Sequence, residues 1–415
     1  MKIIAAFILS TLPFLLFSQE VARFRVDAGD FDQLDCPVYF APDQINDLPD
    51  RSSLHLFEIV KSGLQEVNFQ FENESSFGLW FILDGKTPKN TQRHFLLSIE
   101  KNNNRKAVSL MQVKQSKDAL VLMKNKQKIL KYQKQTIMPP KGVDPIYGKS
   151  GFIHPLWSPG GEVLTRIQPP DHYHHYGIWG PWTKTHIDER EVDFWNLAKA
   201  QGTVEFENLM TVTEGPVFCE ISVHQLHVDF GNKEEVEKQV ALNEELSVRV
   251  WNIGENAWLI DYSSIQSSPL ENGILLDAYR YGGGIGFRAT EKWKKDNCTV
   301  LTSEGKTREN ADGTSARWCR VEGESSAGRS GVLFMDNPKN KEFPQPMRVW
   351  PLDANNNRGD LFFEFCPIRH NSWKMEENEN YQLKYRMYVF DGDISASDAE
   401  SIWQGFAHPP VVTRE

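Results

Sequence analysis

The sequence predicts an all-β protein, a large antiparallel β-sandwich preceded by a small β domain. Three observations carry that expectation. Long stretches alternate apolar and polar residues with period two, the mark of half-buried antiparallel strands. Helical signals are nearly confined to one C-terminal segment. Strands with one apolar face must bury it against another such face, so the layers are sheet on sheet.

Taken in chain order, the first element is MKIIAAFILSTLPFLLFSQE, where Lys2 precedes a largely apolar run from Ile3 to Phe17 and small Ser18 closes it. This reads as a secretory signal peptide over residues 1–18, and the expected location is the periplasm or the cell exterior. No cysteine stands at the cut to carry a lipid anchor, and no later run reaches the ~20 apolar residues of a membrane span. Residues 19–145 are expected to form the small β domain, with an Asn/Lys-rich centre, NNNRKAVSLMQVKQSKDAL. Within it, ALVLMKNKQKILKY reads as a hairpin turning near Asn125. The stretch IMPPKGVDPIYGKS interrupts the strand pattern with prolines and glycines and marks the boundary.

Residues 146–415 are expected to form the large sandwich. In ELSVRVWNIG, Leu246, Val248 and Val250 alternate with Glu245, Ser247 and Arg249. In YQLKYRMYVFDG, Tyr381, Leu383, Tyr385, Met387 and Val389 share one face. SDAESIWQGFAHPP predicts one short C-terminal helix, with Ser397 and Glu400 at capping-box spacing and Pro409 after its end.

A formal net charge of −10 argues against nucleic acid or an anionic membrane surface as partner, since both call for a basic face, and leaves a neutral ligand open. Cys36, Cys219, Cys298, Cys319 and Cys366 are too few and scattered for a disulfide-built scaffold; Cys298 and Cys319 are the nearest pair for a single bridge. Twelve tryptophans fit either core filling or flat faces for sugar rings.

The densest chemistry lies in PDHYHHYGIWG, which puts three of 11 histidines, His172, His174 and His175, into four positions. Were this segment extended, His172 and His174 would converge on one side while His175 pointed to the other. Such a pair suits proton transfer, because an imidazole of pKa ~6.5 serves as base or acid near neutrality. It equally suits a divalent metal held by His172 and His174, with a third ligand from His186, Asp188, Glu189, Glu191 or Asp193 in THIDEREVDFWN. A structural reading has the imidazoles hydrogen-bonded in a polar core.

Three further clusters supply candidates. In YGGGIGFRATEKW the glycines allow close backbone approach, and Arg288 presents a planar fork of donors to hydroxyls or a carboxylate. In FPQPMRVWPLDANNNRGDLFFEFCPIRHNSW, Arg348, Trp350 and His370 flank a Phe-rich strand on loops, where binding residues concentrate. HPLWSPGGEVLT adds Trp157 beside a Pro-Gly-Gly turn.

These motifs together carry a resemblance. IHPLWSPGGEVLT, PDHYHHYGIWGPWT with DFWN, YGGGIGFR, ARWCRVEG, GVLFMDNPKN with MRVW, and the closing YRMYVFDG are similar to the bacterial family labelled PmoA-like, over roughly residues 125–407. The resemblance implies a mutarotase-like supersandwich and a sugar-related role, with His172, His174 and His175 around the sugar ring oxygen. It does not imply a membrane-embedded monooxygenase subunit, which requires bilayer-spanning helices.

The leading expectation is an exported carbohydrate-active enzyme, a hydrolase, lyase or epimerase acting on a glycan fragment. His172, His174 and His175 would supply acid/base chemistry, Arg288 and Asp193 would orient the sugar, and Trp157, Trp179, Trp350, Arg348 and His370 would bind it. One alternative is a glycan-binding protein without turnover; another is a metal-dependent oxidoreductase built on His172 and His174.

Overall fold

A computed structural model describes residues 18–41, 51–72, 78–100, 110–232 and 237–415. The expected signal peptide, Ser18 apart, and the Asn-rich run 102–104 lie outside the described residues. The described residues are all-β, 53% strand and 7% helix.

Two eight-stranded antiparallel sheets form the large sandwich. One runs in the spatial order Met347–Val349, Phe362–Phe365, Ile285–Arg288, Ile178–Trp179, Phe152–Leu156, Gln127–Gln133, Ala119–Lys124, Met111–Gln115. The other runs Gly202–Thr213, Phe218–Asp229, Gln239–Trp251, Ala257–Ser267, Tyr381–Asp391, Gly328–Asp336, Trp318–Ser325, Cys298–Thr302. The period-two reading holds residue by residue: Leu246, Val248, Val250, Leu383, Tyr385, Met387 and Val389 all enter the core between the sheets.

The small β-sandwich sets a five-stranded and a three-stranded sheet around Phe24, Phe40, Phe81 and Phe95. Strand pairing does not follow the expected division at residue 145. Met111–Gln133 hydrogen-bonds into the large sandwich, because Met111, Leu120, Leu122, Ile129 and Leu130 find their apolar partners there. Conversely, Val411–Arg414 leaves the large domain and pairs with the first strand of the small one. The hairpin turns where expected, with Asn125 and Lys126 both at positive φ (49° and 75°), the backbone of a two-residue primed turn.

The C-terminal helix spans Ala396–Ala407, and its cap lies two residues upstream of the expected one. Ser395 accepts from the Asp398 backbone N–H at 3.0 Å, while Ser397 sits inside the first turn. Ile402 and Trp403 bury against Phe218, Trp251 and Leu333 of the large sheet. All five cysteines are free and buried. Cys298 and Cys319, the nearest pair for a possible bridge, are not bonded: they sit at opposite ends of one hairpin, Cys298 facing Gly323 and Cys319 facing Thr302.

Alternation also decides where the candidate site lies. At one end of the first sheet, Ile178, Ile285, Phe287, Met347, Val349, Phe363 and Phe365 point into the sandwich. Their neighbours Trp179, Gly286, Arg288, Arg348, Phe362 and Glu364 therefore point to the outer face, where loops cover them.

Candidate functional site

On that outer face is a cleft of about 360 Å³, lined by the three clustered histidines, Trp195, Asn196, Arg280, Tyr281, Arg348, Trp350, Asn355 and Phe362 among others. His172, His174 and His175 come together, but not as members of a strand. Their segment is two successive turns closed at the base: His172 N–H donates to Pro169 O at 2.8 Å, His175 N–H to His172 O at 3.0 Å, and Gln168 N–H to His175 O at 2.8 Å. Curling the backbone brings all three imidazoles to one side, where extension would have separated His175. Ring centroids stand 5.5 Å apart for His172 and His174, and 4.9 Å apart for each of the other two pairs. Gly177 lets the chain leave the turn: its φ is +66°, and a Cβ there would meet Ile153 O at 2.3 Å.

A layer of aromatic rings holds the histidines in place. His175 is buried against Trp179, Trp350 and Phe362, with centroids 5.2, 5.5 and 5.1 Å away, and Trp179 packs on Trp195 at 4.7 Å. His172 packs on Trp350 at 4.9 Å. Burial pushes the His174 imidazole down to about 4, helped by neighbouring His172. Burial, then the Arg288 charge, lowers His172 and takes His175 well below the ordinary value. At neutral pH all three rings are uncharged, so none supplies an imidazolium acid; each has a nitrogen free of a proton, and the same burial makes it a weaker base than a free imidazole.

Several expected ligand contacts turn out to be supports. Arg288 is wholly buried beneath Trp350, its guanidinium carbon 4.6 Å from that ring's centroid, and cannot touch a ligand in the cleft. It pairs with Asp360 at 2.9 Å, and burial lowers it to about 10. Asp193 is equally hidden and shapes the loop behind the cleft. Its Oδ1 accepts from the backbone N–H of Trp195 and Asn196 at 2.9 and 2.8 Å, and its Oδ2 from Asn196 Nδ2 at 2.7 Å. Trp179, 2% exposed, forms the floor beneath His175 and offers no face to a sugar.

Others lie elsewhere. Trp157 sits under Lys128 on the far part of the sheet, and His370 is exposed, with Nε2 3.2 Å from Gly313 O. His186 pairs with Asp277 at 2.6 Å, and Asp188 accepts from Asn272 at 2.9 Å. Among the described residues no three His, Cys, Asp or Glu side chains are grouped to hold a metal ion.

Arg348 and Trp350 do line the cleft as expected. The residues that sequence reasoning missed come from loops. Tyr281 follows the strand end before the glycine run, and its hydroxyl donates to Asn196 Oδ1 at 3.3 Å. Burial raises that phenol to about 12, so it keeps its proton. Asn355 begins a run of three asparagines with φ of 52°, 57° and 66°, the left-handed region that asparagine tolerates best after glycine. That NNN run before Gly359 was the available signal.

Glu364 was hidden inside the apolar word FFEF. Its side chain lies opposite Arg348 across the strand pair, buried, with Oε1 accepting from Gly282 N–H at 2.7 Å. Burial drives its carboxyl well above the usual range.

Buried polar atoms without hydrogen-bond partners gather here: His172 Nδ1, His175 Nδ1, the indole N–H groups of Trp179 and Trp195, Arg288 Nε and Nη1, and Glu364 Oε2. Asp171 Oδ2 is 3.6 Å from His172 Nδ1, beyond hydrogen-bonding distance. An orphaned buried group costs about 1–3 kcal/mol, so a concentration of them marks a place kept for something other than stability.

The profile of a family described as "Family of unknown function (DUF6807)" matches residues 119–404. No curated protein matches the sequence. Among solved structures, the chain is similar to heparan sulfate lyase HepC from Pedobacter heparinus, with a TM-score of 0.32 and 8% identity. The match covers 71% of this chain but only 38% of that enzyme.

Proposed function

The chain belongs to the DUF6807 family, whose matched segment contains every residue of the cleft, and from that premise we propose that it is a carbohydrate-active enzyme using a neutral histidine as proton acceptor. The observation that carries this reading is the convergence of three uncharged imidazoles, a proton-bearing phenol and a Trp face on one cleft. An aromatic wall beside convergent polar groups suits a sugar, whose ring has apolar C–H faces and a polar edge.

In this reading His174 accepts a proton from the sugar while Tyr281, held at its hydroxyl by Asn196, donates one. Trp350 gives the sugar ring a surface. Arg288 and Asp193 act as positioning residues, the first by keeping positive charge next to the imidazoles and the second by fixing the Trp195–Asn196 loop. Among the described residues no Asp or Glu lines the cleft. The paired carboxylates of ordinary glycoside hydrolysis are therefore not supplied by the lining, which favours proton abstraction, as in elimination or epimerisation. The signal-peptide reading of residues 1–18 supports an exported activity as part of this proposal.

The test is turnover on a panel of oligosaccharides by wild type and His174→Ala. A loss of about 10²–10⁴-fold with an unchanged melting temperature is expected. Equal turnover by the two proteins would remove histidine from the reaction.

A further inference from the structure

We propose that the sugar unit taken by this cleft is a uronic acid, its carboxylate held between Arg280 and Arg348. The inference rests on the glycan reading above and adds a charge requirement to it. Its basis is the charge balance of the cleft wall. The chain as a whole carries 56 acidic against 46 basic side chains, yet the charged residues lining this cleft are both arginines.

Each arginine is under-compensated. Arg280 is exposed on the loop between Leu276 and Ile285, its guanidinium carbon 5.7 Å from the Tyr281 ring centroid, and forms no ion pair among the described residues. Arg348 Nη1 contacts Asp312 Oδ2 at 2.7 Å, but Asp312 also serves Arg369, with Nη2 at 3.0 Å from Oδ2 and Nη1 at 3.2 Å from Oδ1. One carboxylate thus faces two guanidinium groups before Arg280 is counted. Glu364, opposite Arg348, is buried in a setting that favours its uncharged acid and so adds no compensating charge, and Asp193 behind the cleft is paired with Lys199 at 2.9 Å. Three guanidinium groups against one carboxylate leave a positive wall in an acidic protein, a setting that attracts an anion and presents planar donor forks to it.

The reaction chemistry points the same way. A ring C–H of a neutral sugar is too weak an acid for a neutral imidazole to deprotonate. The C–H beside a carboxylate is acidified once that carboxylate's charge is matched by guanidinium groups. His174 would take that proton; the C–H electron pair becomes a C=C bond as the neighbouring C–O bond to the leaving sugar breaks; Tyr281 supplies the proton that the leaving oxygen takes up. One C–H and one C–O bond are exchanged for one C=C and one O–H, with no oxidant, reductant or water consumed. Solvent then carries the proton from His174 back to the Tyr281 phenolate.

The experiment measures binding by calorimetry for wild type, Arg280→Ala and Arg280→Lys. The probes are a panel of uronic-acid trisaccharides, their carboxyl-reduced neutral counterparts and sulfated neutral trisaccharides. Expected is binding of at least one uronide about tenfold or more tighter than its reduced counterpart, weakening as salt is raised. The gap should collapse in Arg280→Ala and persist in part in Arg280→Lys, and the bound uronide should yield a product with an ultraviolet-absorbing C=C conjugated to the carboxylate. A reduced sugar bound as tightly as its uronide, or a sulfated sugar preferred over every uronide, would overturn the charge requirement and leave the glycan reading intact. Binding of none of the probes would overturn both.

Discussion

Replacing His174 by Gln removes a titrating ring whose pKa is about 4 in the fold and 6.5 ordinarily. The folded value is depressed, so the unfolded chain binds the proton more readily, and stability falls as pH drops from 6.5 toward 4. At pH 4.5 the unfolded ring is nearly fully protonated, while the folded ring is about one quarter protonated. At roughly 1.36 kcal/mol per pKa unit, this leaves a loss of about 2.5 kcal/mol between pH 7.5 and 4.5 from this one site. His174 keeps part of its surface in water, and screening brings the figure nearer ~2 kcal/mol. Urea unfolding of wild type and His174→Gln at both pH values reads the effect as a difference of differences, in which acid losses from carboxylates cancel. The variant should lose ~2 kcal/mol less than wild type on acidification. Equal losses would show that the ring titrates normally and that the cleft does not hold it uncharged.

Other outcomes follow from the same geometry. Glu364→Gln should gain stability relative to wild type as pH rises from 5 to 8: the native carboxyl is held above its unfolded value, so its contribution is lost on the alkaline side, and Gln removes that loss. An unfolding midpoint difference that is flat across this range would contradict the assignment. Arg288→Met breaks a pair whose side chains are 1% and 5% exposed; with Arg358 still on Asp360, about 2–4 kcal/mol should be lost, and NMR titration should show His172 and His175 moving up. Gly177→Ala should cost ~3 kcal/mol or more by differential scanning calorimetry, given φ of +66° and Ile153 O at 2.3 Å from the new Cβ. Tyr281→Phe should cut turnover ~10²-fold while shifting stability by less than ~1 kcal/mol, since only one long hydrogen bond is lost.

Where function could be read from the sequence, the reason was local. Period-two alternation exposes strands such as Tyr381–Asp391 because one face must be apolar. Three histidines within four residues must share a neighbourhood whatever the backbone does, so their convergence was legible although the backbone turns where an extended strand was considered. The Pro169-Pro170 start and Gly177 exit impose turns that alternation cannot reveal. What was hidden depended on distant pairing. Arg288 looks like a ligand contact from its glycine-rich flank, yet the register opposite Phe362 puts it under Trp350. Glu364 was concealed because a single acid among phenylalanines reads as the solvent face of a strand, and only the covering loops turn that face inward. Tyr281, Asn196 and Asn355 come from three loops far apart in the chain. The C-terminal strand Val411–Arg414 joins a sheet whose other members all precede residue 101, a pairing no local pattern encodes.

The central claim is that the three imidazoles face the ligand. Imidazole ring resonances of His172, His174 and His175, assigned by single-site variants and followed by NMR while a uronic-acid trisaccharide is added, test it most directly. Saturable shifts confined to these rings and the Trp195 and Trp350 indoles are predicted. Saturable binding that leaves all three histidine signals unmoved would place the ligand elsewhere and contradict the account.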